Sequence, residues 1–241
     1  MIKQPYTVLE NRLVASDTYR LVLAGKGTVD GEFVHLEIPG FYLRRPLSVC
    51  EAAEGKLMLL YKTVGEGTRA LAQLPTGTVI SVLKGLGKGF DADACRRDAL
   101  LVGGGLGAAP LLPLAQKLKA QGKKVTVVLG FNKAEEVVLE REFRALCDRL
   151  VFTTLDGSVG IKGFVTDALK EMGGFDYFYT CGPMVMMKAV CALLDVPGEA
   201  SLEERMGCGA GFCYGCSIQT RSGARRVCKD GPVFKKEEIL W

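Results

Sequence analysis

The pattern of apolar residues changes at Arg96, and that change limits the fold more than any single motif does. From Tyr6 to about Leu86 the chain runs in short β-rich stretches: YTVLENRLV, YRLVLAG, FVHLEI, LSVC, KLMLLYKTV and TVISVLKG. Several alternate in polarity, and the turn signals VDGE, AAEG and LPTGT separate them. Short strands punctuated by glycine and proline predict an antiparallel barrel or sandwich. Beyond Arg96 the strand DALLVGGG runs into the amphipathic helix AAPLLPLAQKLKAQG and the strand KKVTVVLGF. Then follow the helix-like EEVVLEREFRALCDR, the strand LVFTTL, the helix GFVTDALKEMG, the strand FDYFYTCGP and a helix from Met184 to Leu194. This alternation predicts a doubly wound parallel sheet with helices on both faces. The periodicity stops around DVPGEA, where a cysteine-rich tail begins. The expected architecture is a β-barrel over residues 1–94, an α/β domain over 95–199 and a small cysteine module over 200–241.

Composition narrows the class. With 48% hydrophobic and 24% charged residues the chain should fold rather than stay disordered. A net charge of +4, with basic residues scattered apart from a cluster between Arg221 and Lys236, does not predict nucleic-acid binding. That cluster reads as a solvated face or a docking surface. The uncharged run from Ala99 to Ala115 is interrupted by glycines and two prolines, so no membrane span is expected. The N-terminal MIKQPYTVLENRLVASD lacks a signal-peptide core, and the expected setting is the cytoplasm.

In such a setting nine cysteines should be thiols or metal ligands. Cys50, Cys95, Cys147, Cys181 and Cys191 are scattered, whereas Cys208, Cys213, Cys216 and Cys228 crowd the end with spacing C-x4-C-x2-C-x11-C. That is the plant-type 2Fe-2S arrangement. Gly207, Gly209, Gly211 and Gly215 supply the dihedrals a loop needs to curl around a cluster with its amides inward. A zinc ribbon is the competing reading, but it usually pairs two C-x2-C knuckles and only one is present.

VGGGLGAAP, Val102 to Pro110, follows a strand and opens a helix, with Gly103, Gly105 and Ala108 fitting G-x-G-x-x-A. Such a loop lets a pyrophosphate approach backbone amides at the positive end of a helix, although its glycines can equally serve close packing. A second glycine site, TCGPM, ends a later strand, and both loops are expected to meet one nucleotide. Cys181 there reads as a lining residue of the nicotinamide pocket or as a buried structural thiol. In the barrel half, LRRPLS places a guanidinium near a hydroxyl, a phosphate clamp, and LLYKTVGEGT ends in Gly65, Gly67 and Thr68. An ordinary edge strand is the plain alternative.

Taken together these parts resemble the ferredoxin-reductase type of flavoprotein, in which R-x-x-S on a barrel strand binds the flavin and the α/β domain binds the nicotinamide nucleotide. SLEERMGCGAGFCYGCSIQT and VCKDGPVF narrow the resemblance to the electron-transfer subunits of NAD-dependent, B-type dihydroorotate dehydrogenases, which carry FAD and a 2Fe-2S cluster. The resemblance implies that Arg45, Pro46, Leu47, Ser48, Leu60, Tyr61 and Lys62 contact FAD, with Gly67 and Thr68 at its phosphates. It implies Cys208, Cys213, Cys216 and Cys228 as cluster ligands, and Gly103, Gly104, Gly105, Gly107, Cys181, Gly182 and Pro183 as the frame of NAD. Lys133 and the acids near it do not separate NAD from NADP; the family implies NAD. Its implied partner is an FMN-containing dihydroorotate dehydrogenase catalytic subunit, in a heterotetramer of two of each. Electrons would pass from that subunit through the cluster and FAD to NAD. His35, the lone histidine, lies on an alternating strand and reads as structural. No side-chain acid, base or nucleophile is expected to be catalytic. A similar subunit serving a hydrogenase or another NAD(P)H-linked complex, and a non-enzymatic zinc-stabilised interaction module, are the alternative readings.

Overall fold

The computed structural model describes residues 1–27 and 32–241. The turn expected at VDGE therefore lies largely outside the described residues. Close packing divides the chain into two units, one of residues 1–89, 203–219 and 223–232, the other of 90–202, 220–222 and 233–241.

In the first unit six strands form a closed antiparallel barrel: β1 (Ile2–Ala15), β2 (Thr18–Ala24), β3 (Phe33–Leu36), β4 (Arg45–Ala53), β5 (Lys56–Lys62) and β6 (Val79–Leu86), in the order β1-β2-β5-β4-β3-β6. Closure removes the exposed edges that short strands would otherwise present. Leu21, Leu23, Leu57, Leu59 and Val82 fill the interior. Between β5 and β6 the chain makes a short helix, α1 (Glu66–Ala72), whose Leu71 joins that core. Asn11 fastens it: its amide donates to the carbonyls of Leu71 (2.8 Å) and Leu74 (3.2 Å), while its Oδ1 accepts the Tyr61 hydroxyl (2.8 Å).

The second unit is built on a seven-stranded sheet. Its strands are β7 (Asp98–Gly104), β8 (Lys124–Phe131), β9 (Arg149–Thr154), β10 (Ile161–Lys162), β11 (Tyr177–Cys181), β12 (Gly198–Ser201) and, after the hairpin of β13 (Ser217–Thr220) and β14 (Gly223–Arg226), β15 (Val233–Lys235). The order is β10-β9-β8-β7-β11-β12-β15, parallel throughout except for β15. The helices are α2 (Ala108–Ala120), α3 (Glu140–Leu146), α4 (Val165–Leu169) and α5 (Met184–Leu193), with α2 packed on α3 and α4 on α5. The helix expected from Glu135 shrinks to α3, because Val138 and Leu139 turn into the core and Leu139 adopts φ +59°. β12 was not expected; its four residues are buried, with the Phe178 ring lying where a Gly198 side chain would be.

Most of the cysteine segment, residues 203–219 and 223–232, packs in the same unit as the barrel. The Lys88 N–H donates to the Gly231 carbonyl at 2.7 Å, and Gly87 abuts Pro232 so closely that a Cβ would lie 2.7 Å from it.

In the α/β unit, Asp176, just before β11, accepts the N–H groups of Arg96 (2.9 Å), Arg97 (2.8 Å) and Asp98 (2.9 Å) and the Cys95 thiol (3.2 Å). Burial opposes its ionisation, but these donors outweigh it and hold the carboxyl at about 2, against 3.8 for a free side chain. Its stabilisation is therefore complete above about pH 4 and is lost as the pH falls through 2. Asp176→Asn should lower the unfolding free energy of this unit by ~2 kcal/mol at pH 7, the scale of charge-assisted hydrogen bonds, as read from urea denaturation.

Candidate functional site

Three places carry the expected cofactor residues. The first is a gap in the barrel wall. The β4–β5 ladder runs only from Val49↔Leu59 to Ala53↔Lys56. Beyond it, Arg45–Ser48 pair with β3 and Leu60–Lys62 pair with β2. The two segments expected at the flavin thus flank an opening between neighbouring strands, and Pro46 brings no N–H that could close it. The Arg45 guanidinium stands 5.1 Å over the Phe41 ring and lies against the start of α1, where a Cβ on Gly67 would be 2.5 Å from its Nη2. Thr68 secures that turn, its hydroxyl bonding the Gly65 N–H (3.1 Å) and carbonyl (3.0 Å). Arg45, Gly67 and Thr68 therefore converge. Leu60 and Tyr61 do not offer side chains: both are buried, and the Tyr61 ring stacks on Tyr19 at 5.5 Å. Their contribution to a ligand site would be backbone. Lys62 is held by Asp17 at 3.1 Å. Phe41 was missed in the sequence reading; its signal is an aromatic shortly before the Arg-Pro pair.

The second place is the switch point of the sheet. Strand order runs outward from β7 through β8 to β9 on one side and through β11 to β12 on the other, so a crevice opens beyond the carboxyl ends of β7 and β11. The loops at Gly103–Gly107 and Cys181–Met184 meet there, since Cys181 pairs with Gly103. Their glycines divide by role. A Cβ would lie 2.7 Å from Leu129 at Gly103, 2.6 Å from the Met186 sulfur at Gly104 and 2.1 Å from the Cys181 carbonyl at Gly107. At Gly182 it would meet the Gly104 backbone at 2.9 Å. These glycines serve packing. Gly105, at φ +53° with open space around its Cα, is the one left free for close approach ahead of α2. Cys181 is buried, at 2% exposure, at the end of β11 where the two loops meet.

The third place is the cysteine loop. Gly209 (φ +65°), Gly211 (φ +85°) and Tyr214 (φ +58°) turn it back on itself. The N–H groups of Ala210 (3.4 Å), Phe212 (3.3 Å) and Cys213 (3.4 Å) point at Cys208 Sγ, that of Gly215 at Cys213 Sγ (3.5 Å) and that of Cys228 at Cys216 Sγ (3.4 Å). The thiols interact side chain to side chain, Cys208 with Cys213 and Cys216 with Cys228, and Cys208 also acts on Cys228. Burial alone would raise the Cys208 thiol, but the amides and Cys213 bring it down to about 6. Burial, then Cys216, pushes Cys228 up to about 12. Two thiol pairs wrapped in amides fit a two-iron cluster, whose sulfurs accept hydrogen bonds. Arg226 braces the loop, donating to the Gly211 carbonyl (2.9 Å), pairing with Asp230 (3.1 Å) and lying 4.9 Å over the Tyr214 ring.

Comparison with known proteins ties these places together. The model of the iron-sulfur cluster binding domain of dihydroorotate dehydrogenase B matches residues 203–240, and that of the oxidoreductase NAD-binding domain matches 101–192. The dihydroorotate dehydrogenase B (NAD(+)) electron transfer subunit of Fusobacterium nucleatum is 39% identical over 97% of this chain and 96% of its own. That of Geobacillus sp. strain WCH70 is 41% identical over 100% and 99%. The chain belongs to the electron-transfer subunits of dihydroorotate dehydrogenase B. A structure of an NADH-dependent reduced ferredoxin-NADP oxidoreductase, described for flavin-based electron bifurcation, is 31% identical with TM-score 0.88, covering 98% of this chain and 90% of that one. As a dihydroorotate dehydrogenase B electron-transfer subunit, the chain is part of an oxidoreductase and works with a separate catalytic subunit. FAD, a 2Fe-2S cluster and NAD are the cofactors these matches support. These matches favour an iron-sulfur electron-transfer subunit over a zinc-stabilised module. No helix among the described residues is long and apolar enough to cross a membrane.

Proposed function

We propose that the chain divides its work into three functional parts: FAD in residues 1–94, NAD in 95–199 and the 2Fe-2S cluster in 200–241. Arg45 and Ser48 hold the flavin from one side of the barrel gap, and the backbone of Leu60–Lys62 from the other, with Pro46 and Leu47 lining it. Gly67 and Thr68 receive its diphosphate beside the Arg45 guanidinium, a bidentate donor suited to phosphate oxygens. Gly105 and the first amides of α2 receive the diphosphate of NAD. Gly103, Gly104, Gly107, Gly182 and Pro183 keep the two loops close enough to form that seat. Cys208, Cys213, Cys216 and Cys228 would ligate the cluster. When bound, the cluster carries single electrons and FAD exchanges single electrons for pairs with NAD. The protein's part is to hold and orient these groups and to exclude water.

The observation that carries this reading is the amide-lined pairing of the four thiols in the same packed unit as the barrel gap. The partner is an FMN-containing catalytic subunit, two copies of each subunit forming the complex. Purification of the native complex tests this directly: it should reduce NAD with dihydroorotate, show flavin and 2Fe-2S absorbance, and contain FMN in the partner. A colourless chain with stoichiometric zinc would end the reading. For the flavin seat, Arg45→Ala should weaken FAD binding about 10–100-fold, the loss expected for a charged hydrogen-bond donor, measured as flavin released on dilution.

A further inference from the structure

His35 is the single histidine of the chain and stands in β3 with no exposed surface. Neither ring nitrogen has a hydrogen-bond partner among the described residues. Buried polar atoms without partners are rare and costly, so this ring calls for an acceptor not yet named. Its surroundings say where that acceptor lies. The carbonyl of His35 is tied to the Arg44 guanidinium at 3.4 Å, and the Phe33 ring flanks the imidazole at 5.7 Å. The N–C–N edge faces the cysteine loop: a Cβ on Gly209 would lie 2.4 Å from Cε1, 2.6 Å from Nε2 and 2.7 Å from Nδ1. Only glycine fits there, both for that contact and for its φ of +65°. Gly209 directly follows Cys208, whose sulfur already gathers three backbone amides. An imidazole, neutral or charged, carries at least one ring N–H, so the ring has a proton to give.

We propose that His35 is a positioning residue for the cluster, donating its ring N–H to a sulfur on the Cys208 side and thereby raising the reduction potential. The inference rests on the reading that this loop holds the 2Fe-2S cluster, the group whose sulfurs would serve as acceptors. A donor to sulfur stabilises the reduced, more negative cluster more than the oxidised one, the outer-shell control general to such sites.

Because the chain has one histidine, ring labelling reports on one site. The untagged, full-length, cluster-loaded chain made with ring-15N histidine and reduced with dithionite should show a weak 15N coupling in pulsed EPR that the unlabelled protein lacks. His35→Phe should keep iron, sulfide and FAD at stoichiometric levels, lose that coupling and shift the midpoint potential to more negative values. His35→Gln, which keeps an N–H donor, should recover part of the shift. A normal 2Fe-2S signal without 15N coupling in the labelled wild-type chain overturns the proposal, and does so even if the phenylalanine variant fails to load. An unchanged potential in a loaded His35→Phe overturns it too. A chain whose iron content and EPR show no 2Fe-2S cluster refutes the cluster reading itself, and the proposal with it.

Discussion

Replacing Cys213 with serine should remove the 2Fe-2S absorbance and EPR signal, leave FAD bound, and cut electron delivery from the catalytic subunit at least ~100-fold, beyond the 10–100-fold typical of losing an outer-shell partner. Of the four thiols, Cys213 is the one that tests the cluster with least disturbance of the fold. It is exposed, and its sulfur accepts a single amide, from Gly215. Cys216 and Cys228 are buried, and Cys208 organises three amides of the loop. The serine should therefore change stability by no more than about 0.5 kcal/mol, the range of a surface substitution, before the loss of the metal is counted. FAD should remain because its expected segments, Arg45–Ser48 and Gly67–Thr68, are fixed by barrel strands and by α1 packed on the barrel core. The flavin spectrum, iron content and dihydroorotate-driven NAD reduction of the reconstituted complex check each part separately. A variant that reduced NAD from the partner at the normal rate would show that the cluster is not an obligatory relay.

The cysteine loop was readable in the sequence because its geometry is local. Three ligands and their glycines lie within Gly207–Cys216, and spacing alone sets what such a loop can enclose. The alternation after Arg96 was readable for a similar reason, since KVTVVLGF and YFYTC are mostly apolar runs without alternation, and apart from Lys124 and the half-buried Gly130 their residues are buried, as in strands covered on both faces. Other elements were hidden because their cause is not local. EGTRALA contains a glycine and is only seven residues long, too short to stand as a helix alone; α1 forms because Leu71 is buried in the barrel and Asn11 caps its carbonyls. GEAS has no β-branched residue, and becomes β12 because β11 and β15 supply its partners. The contact of His35 with Gly209 joins residues far apart in the chain, and no periodicity marks it. The G-x-G pattern was visible, but not that most of its glycines are committed to packing.

That division of the glycines sets the second large effect. Gly107→Ala should destabilise the α/β unit by about 3 kcal/mol or more and abolish productive NADH binding, because the added methyl would sit 2.1 Å from the Cys181 carbonyl oxygen. The clash is with backbone, so no rotamer relieves it; the ends of β7 and β11 must separate, and with them the two loops of the switch point. Gly105→Ala is the matched control. There the methyl meets nothing within 4 Å, and the cost is about 1–2 kcal/mol for holding a non-glycine residue at φ +53°. The unit should still fold, but the methyl would stand where a diphosphate approaches α2, so the KM for NADH should rise while FAD and cluster content stay unchanged. Urea denaturation and NADH oxidation with an artificial acceptor separate the two cases. If Gly107→Ala kept wild-type stability and KM, the loops would not be packed against each other as described. If Gly105→Ala bound NADH as the wild type does, the nucleotide would enter by another face of the sheet.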